Sequence, residues 1–225
     1  MTVAKTEPYR APRRSPGMRR SAFAAVLAIA AVLSPTPAGA AAAPADMVEE
    51  GKSIVRSLSS SVIDLFRQGS DRRAQEAAFL ALFARHFDVP RIGRFVLGRA
   101  VWSKATAAER AQFLNLFQRY IAKVYTVQLR RYTGKKFEII AAGPDRKGVV
   151  VTSRIFGTRS ERPFSLKWRM RPSGSRLKVR DMVFENVSMS LNQRREFASV
   201  IRRRGGSLAG LLKAMREKMA ELDRR

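Results

Sequence analysis

The chain has 225 residues, 45% hydrophobic and 28% charged, a composition that suits one globular domain and not a disordered chain. Forty-four Lys and Arg against 18 Asp and Glu give a formal charge of +26. Cysteine is absent and His86 is the single histidine, which excludes disulfides, thiolate and multi-histidine metal sites, and a cysteine nucleophile.

Residues 1–40 read as a secretory signal peptide. A basic stretch with Arg10, Arg13, Arg14, Arg19 and Arg20 precedes an uncharged run of 13 residues, Ser21 to Leu33. Ser34-Pro35-Thr36-Pro37 breaks it, and Ala38-Gly39-Ala40 supplies small residues for cleavage. The run is shorter than the roughly 20 apolar residues of a spanning helix. No cysteine follows it, so a lipoprotein anchor is excluded, while Arg19-Arg20 leaves the general and twin-arginine export routes both open. The leader holds six basic residues and one acid, so the mature chain, residues 41–225, keeps +21. The expected location is the periplasm, where an exported protein meets lipids and other envelope components and not the chromosome.

After an Ala/Pro linker, apolar residues recur at threes and fours from Asp46 to about Gln68. Gly69-Ser70-Asp71 breaks this helix, and Ser70 or Asp71 caps the next, which ends near His86. Asp88 then stands as an N-cap with Pro90 in the first turn, and Gly98 ends that helix. Trp102 is expected in a loop. Thr106 and Glu109 form a capping box for a long amphipathic helix. Its apolar stripe includes Phe113, Phe117, Ile121, Val124 and Tyr125; its polar face includes Arg110, Gln118, Lys123 and Arg130; it stops near Tyr132-Thr133-Gly134.

From Lys135 the period changes to two. A first strand carries Phe137, Ile139 and Ala141, with Gly143-Pro144-Asp145 as its turn. A second carries Val149, Val151 and Ile155, and Gly157 to Pro163 connects it to a third. There Phe164, Leu166, Trp168 and Met170 alternate with Ser165, Lys167, Arg169 and Arg171. A fourth puts Leu177, Val179, Asp181 and Val183 on one face, Met182 and Phe184 on the other. Two helices split by Gly205-Gly206 close the chain. The fold class is α+β, one domain, with helices before and after a four-stranded antiparallel meander.

No catalytic or metal site is expected. His86 lacks a positioned nucleophile and reads as structural, and the acids are scattered without a dyad spacing. Thr133-Gly134-Lys135-Lys136 lacks the upstream glycine of a phosphate loop. Nucleic-acid binding would interleave aromatics with the basic clusters, but Phe164 and Trp168 alternate away from Lys167 and Arg169. The charge therefore reads as a solvated surface or one drawn to anionic lipid. The apolar strand face and the helices above it form either a filled core or an acyl-chain pocket; pattern alone leaves both open.

Several runs in order carry a resemblance. They are Phe87-Asp88-Val89-Pro90-Arg91-Ile92-Gly93-Arg94-Phe95-Val96-Leu97-Gly98, Trp102, Thr106 through Phe113, Phe117 and Tyr120 to Tyr125, Glu185-Asn186-Val187-Ser188-Met189, and Arg195-Glu196-Phe197 with Ile201 and Gly205-Gly206. From about Asp46 to Leu212 the chain resembles the MlaC, or toluene-tolerance, family of periplasmic phospholipid-binding proteins. Asn186 stands where that family has glycine. The resemblance implies a non-enzymatic carrier: a helical layer on a curved antiparallel sheet, with an apolar pocket between them for acyl chains. It implies no cofactor beyond phospholipid as cargo. The implied partners are an inner-membrane ABC transporter with an MCE-domain subunit, an outer-membrane lipoprotein complex and transient membrane contact, in maintaining outer-membrane lipid asymmetry. A hopanoid cargo, or a basic envelope-binding module with a filled core, are the alternatives. Tyr125 and Val187 match the family's pocket positions. Val151, Phe164, Leu166, Trp168 and Val183 join them from strand alternation, and Phe117 and Val124 from the helix stripe that carries Tyr125.

Overall fold

A computed structural model of the chain describes residues 45–68, 71–129, 136–146, 148–156 and 162–224. The leader, Gly69-Ser70, Arg130, the expected helix stop at Tyr132-Thr133-Gly134 and the connection from Gly157 through residue 161 lie outside the described residues.

Among the described residues, five helices come first: α1 (Ala45–Arg67), α2 (Arg72–His86), α3 (Val89–Leu97), α4 (Arg99–Lys104) and α5 (Ala107–Leu129). The strands follow: β1 (Lys136–Asp145), β2 (Gly148–Phe156), β3 (Phe164–Ser173), β4 (Arg176–Phe184) and β5 (Val187–Ser188). Two helices, α6 (Met189–Arg203) and α7 (Leu208–Asp223), complete the order. The α+β class stands, and the sheet is an antiparallel meander in chain order. It has a fifth, two-residue strand beyond the four expected, because Glu185-Asn186 turn tightly enough to pair Val187 with Phe184. Both turn residues have positive φ, 42° and 67°. Asn tolerates this left-handed region better than most residues, so it can stand where glycine is otherwise the default.

Local chemistry accounts for the helix boundaries. The Asp71 carboxylate accepts from the Arg73 N–H at 3.0 Å, and that of Asp88 from the Arg91 N–H at 3.3 Å. Thr106 N–H donates to Glu109 Oε2 at 2.7 Å while Glu109 N–H donates to Thr106 Oγ1 at 3.2 Å, the reciprocal pair of a capping box. Gly98, at φ 83°, ends α3. Trp102 is not in a loop but inside the short helix α4, where the Arg110 guanidinium lies 5.4 Å over its ring and Arg110 Nε donates to its carbonyl at 2.9 Å. Gly143-Pro144-Asp145 is not a turn either. It pairs with Val150, Val149 and Gly148 as the end of β1. Proline is tolerated there because β1 is an edge strand.

The helices pack on one another around Phe113, Phe117, Phe197, Leu211 and Met215. Phe113 and Phe117 stack at 5.7 Å and Phe197 meets both edge-on, at 6.2 and 6.1 Å. Lys123, expected on the exposed face of α5, is buried: α2 and α7 flank that face, and its ammonium pairs with Glu76 at 3.1 Å and with Asp223. A charged stripe on a helix marks solvent only where no other helix covers it.

Candidate functional site

Directly paired residues of antiparallel strands share a face. The register therefore sorts the covered face of the sheet into rows: Val149, Met170 and Val179; Val151, Trp168 and Met182; Ser153, Leu166 and Phe184; Phe137, Ile155 and Phe164. The first row is fully buried under α1. Gly51 permits this. A Cβ there would lie 3.2 Å from Val149 and 3.3 Å from Val151, closer than ordinary van der Waals contact, so any larger residue would have to push those valines aside for the helix to sit this low.

Beyond Leu58 the same interface holds a cavity of about 470 Å³. Its roof is the second half of α1 with Phe79, Leu82 and Phe83 of α2; α5 contributes Phe117 to Leu129; the first half of α6 closes another side. The floor is Phe137, Ile155, Phe164, Leu166, Trp168, Met182 and Phe184. Phe164 and Phe184 lie 5.1 Å apart between ring centroids. The Trp168 indole N–H is spent on the buried Ser153 hydroxyl at 2.9 Å, so the ring is fixed and presents carbon.

Six of the nine expected site residues meet in this lining: Phe117, Val124, Tyr125, Phe164, Leu166 and Trp168. Val151, Val183 and Val187 do not line it, which corrects their expected placement. Val151 is sealed beneath α1 at Gly51. Val183 lies opposite Lys167, on the face away from Trp168. The cause is a bulge in β4: Met170 pairs with Val179 and Arg169 with Asp181, so Arg180 is an extra residue and the alternation reverses after it. Met182 and Phe184, expected on the far face, consequently line the cavity. Val187, in β5, is 44% exposed.

One wall is polar. Arg180, Asp181, Ser190, Asn192, Gln193 and Glu196 line it beside Tyr120 and Tyr125. Both carboxylates are occupied. Asp181 accepts from Ser188 Oγ at 2.7 Å, from Ser190 N–H at 3.1 Å and from Ser190 Oγ at 2.6 Å. Glu196 accepts from Asn192 at 3.0 Å and Gln193 at 3.2 Å. Burial, with the nearby Glu196 charge, raises the pKa of Tyr120 and of Tyr125, so both phenols remain protonated donors. Arg180 Nε lies 2.9 Å from Asp88 Oδ2, but the N–H is not aimed at that oxygen: the contact is an ion pair in which neither atom has a hydrogen bond. Burial lowers the guanidinium pKa and Asp88 opposes the shift; arginine stays charged all the same.

Among the described residues no cluster of His, Asp and Glu could hold a metal ion, and no helix is long and apolar enough to cross a membrane. His86 does not line the cavity. The arrangement can sequester an elongated apolar ligand with a polar end.

Comparison with curated proteins finds no match. The fold is similar to that of a phospholipid-binding protein from Ralstonia solanacearum whose structure was solved in complex with a phospholipid. The TM-score is 0.64 at 22% sequence identity, over 76% of this chain and 97% of that one. The family model of the MlaC protein matches residues 56–217, and the chain belongs to the MlaC family.

Proposed function

We propose that the chain is a periplasmic phospholipid carrier, without enzymatic activity, that passes lipid between an outer-membrane lipoprotein complex and the MCE-domain subunit of an inner-membrane ABC transporter and so maintains outer-membrane lipid asymmetry. The observation that carries the reading is the apolar cavity between α1, α2, α5, α6 and the sheet. Family membership and the phospholipid held by the Ralstonia solanacearum protein support it. An acyl chain exposed to water costs about 0.8 kcal/mol per CH₂, so a carrier needs dry aliphatic and aromatic walls and little else. The expected signal peptide delivers the protein to the compartment where such lipids must cross water. The large basic excess favours transient contact with anionic bilayers at either end of the journey.

Native mass spectrometry of protein purified from its source envelope tests this. The expected result is a bound mass that extracts into organic solvent and fragments as a diacyl phospholipid. A folded protein with a clean apo mass would overturn the reading in favour of an envelope-binding module, and a polycyclic triterpenoid mass would replace the cargo with a hopanoid. Val187→Glu is the geometric control. Exposed and outside the lining, it is expected to leave the bound mass in place.

A further inference from the structure

Among the described residues, Arg180 is the sole Lys or Arg in the cavity lining. A strand that alternates regularly would not place it there; it is the extra residue of the β4 bulge. Its Nε side faces Asp88, whose side chain is 5% exposed and whose Oδ1 caps α3. This anchors the guanidinium to a helix terminus. The two terminal amino groups are a different matter: among the described residues nothing accepts from them, and the side chain is 22% exposed. Every other charged group on that wall already has hydrogen-bond partners, since Asp181 holds two serines and Glu196 holds Asn192 and Gln193. Those two carboxylates repel an anion elsewhere on the wall. The wall thus holds one cation with donors to spare, next to an apolar chamber.

We propose that Arg180 is the headgroup anchor of the cavity: its free amino groups bind the anionic oxygen of a chain-bearing amphiphile, phosphate or carboxylate, and so orient the cargo with its charged end at the β4 bulge and its chains among Phe164, Leu166, Trp168 and Phe184. The inference rests on the carrier reading and adds to it an orientation and a preference for charge. A guanidinium takes phosphate and carboxylate oxygens with charge-assisted bonds, and in a desolvated setting such bonds are stronger than in water. Tyr120 and Tyr125, protonated on the same wall, are placed to donate to the neutral parts of a headgroup.

Removing Arg180 alone would leave the buried Asp88 with only the longer Arg91 ion pair, at 3.6 Å, and risk unfolding. The informative variant is therefore Arg180→Met with Asp88→Asn, which discharges both partners and keeps an oxygen for the α3 cap. Arg180→Lys keeps the charge without the fork. Delipidated protein is offered phosphatidylglycerol, palmitate and, as the uncharged reference, dioleoylglycerol, and bound lipid is counted by native mass spectrometry with circular dichroism as the folding control. Wild type is expected to prefer phosphatidylglycerol over dioleoylglycerol. The double variant should still load dioleoylglycerol and lose that preference by about tenfold or more, the scale of a hydrogen bond to a charged group. Arg180→Lys should retain part of it. Preference for phosphatidylglycerol over palmitate in wild type assigns the oxygen to phosphate, and the reverse assigns it to carboxylate. A folded double variant with the wild-type preference, or a wild type that loads both lipids equally, overturns the anchor while leaving the carrier reading intact. Failure of wild type to load any of the three overturns both.

Discussion

Gly51 and Val62 stand on the same helix over the same sheet, yet one end of that interface is shut and the other hollow. At Gly51 the backbone of α1 comes down onto Val149, Val151 and Met170, and the row Val149–Met170–Val179 is wholly excluded from solvent. Three turns on, Val62 and Phe66 face Phe137, Ile155 and Phe164 across open volume. The residue types at the two ends are equally apolar. What differs is that small and medium side chains interlock at the first end, whereas large aromatic residues at the second line a space they do not fill. Hydrophobicity commits a face to burial; the side-chain volumes and the height of the backbone decide whether burial means packing or a cavity.

Two methionines on the covered face of the sheet make the largest test of that difference. Met170 is fully buried at the closed end, and Met182 lines the cavity. Met170→Ala should lower unfolding free energy by about 2–5 kcal/mol, because it opens a void in a packed region. Met182→Ala should cost less than about 2 kcal/mol, since the space beside it exists already and only part of the transfer term is lost. Urea denaturation of the lipid-free proteins measures both. Equal losses would mean that the hollow end is packed in solution.

Filling the hollow end should do the opposite. Val124→Trp places an indole on the α5 wall of the cavity. The expected outcome is loss of most co-purifying lipid with a change in unfolding free energy of less than about 1.5 kcal/mol, the cost of a tolerated core replacement. A stable variant with a full complement of lipid would show that cargo sits elsewhere.

Much of the frame of this site was legible in the sequence. The caps at Asp71, Asp88 and Thr106 and the alternation of Phe164 to Met170 depend on neighbours within a few residues, and they appear as read. The misplacements depend on partners far along the chain. Ile140 and Arg180 are bulges because the facing strands slip by one residue, and the second exchanges Val183 for Met182 and Phe184 in the lining. A run of two charged residues, Arg180-Asp181, inside an apolar strand was the available signal that regular alternation fails there. Lys123 reads as exposed until Glu76 and Asp223 arrive from α2 and α7. The close approach of α1 to the sheet at its sealed end rests on Gly51 meeting Val149, and glycine within a helical pattern does not announce what it faces.

The smallest expected effect returns to the closed end. His86 ends α2, and the next residue, Phe87, bridges to Val179 in the sealed row. Burial first, then the charges of Arg85 and Lys178, hold the His86 pKa below its usual 6.5. The folded protein therefore takes up this proton less readily than the unfolded chain. The associated stability is complete above the unfolded value and is lost as pH falls through the window beneath 6.5 toward the folded value. Partial exposure lets water screen the ring, so the slope should be shallow. Because His86 is the single histidine, the urea midpoint between about pH 5 and 8 isolates it from other side chains. Wild type should lose stability on acidification across that range, and His86→Gln should flatten the profile. A slope that survives the substitution, or a midpoint that rises as pH falls, would place the titrating group away from the α2–β4 junction and weaken the case that this end of the sheet is sealed.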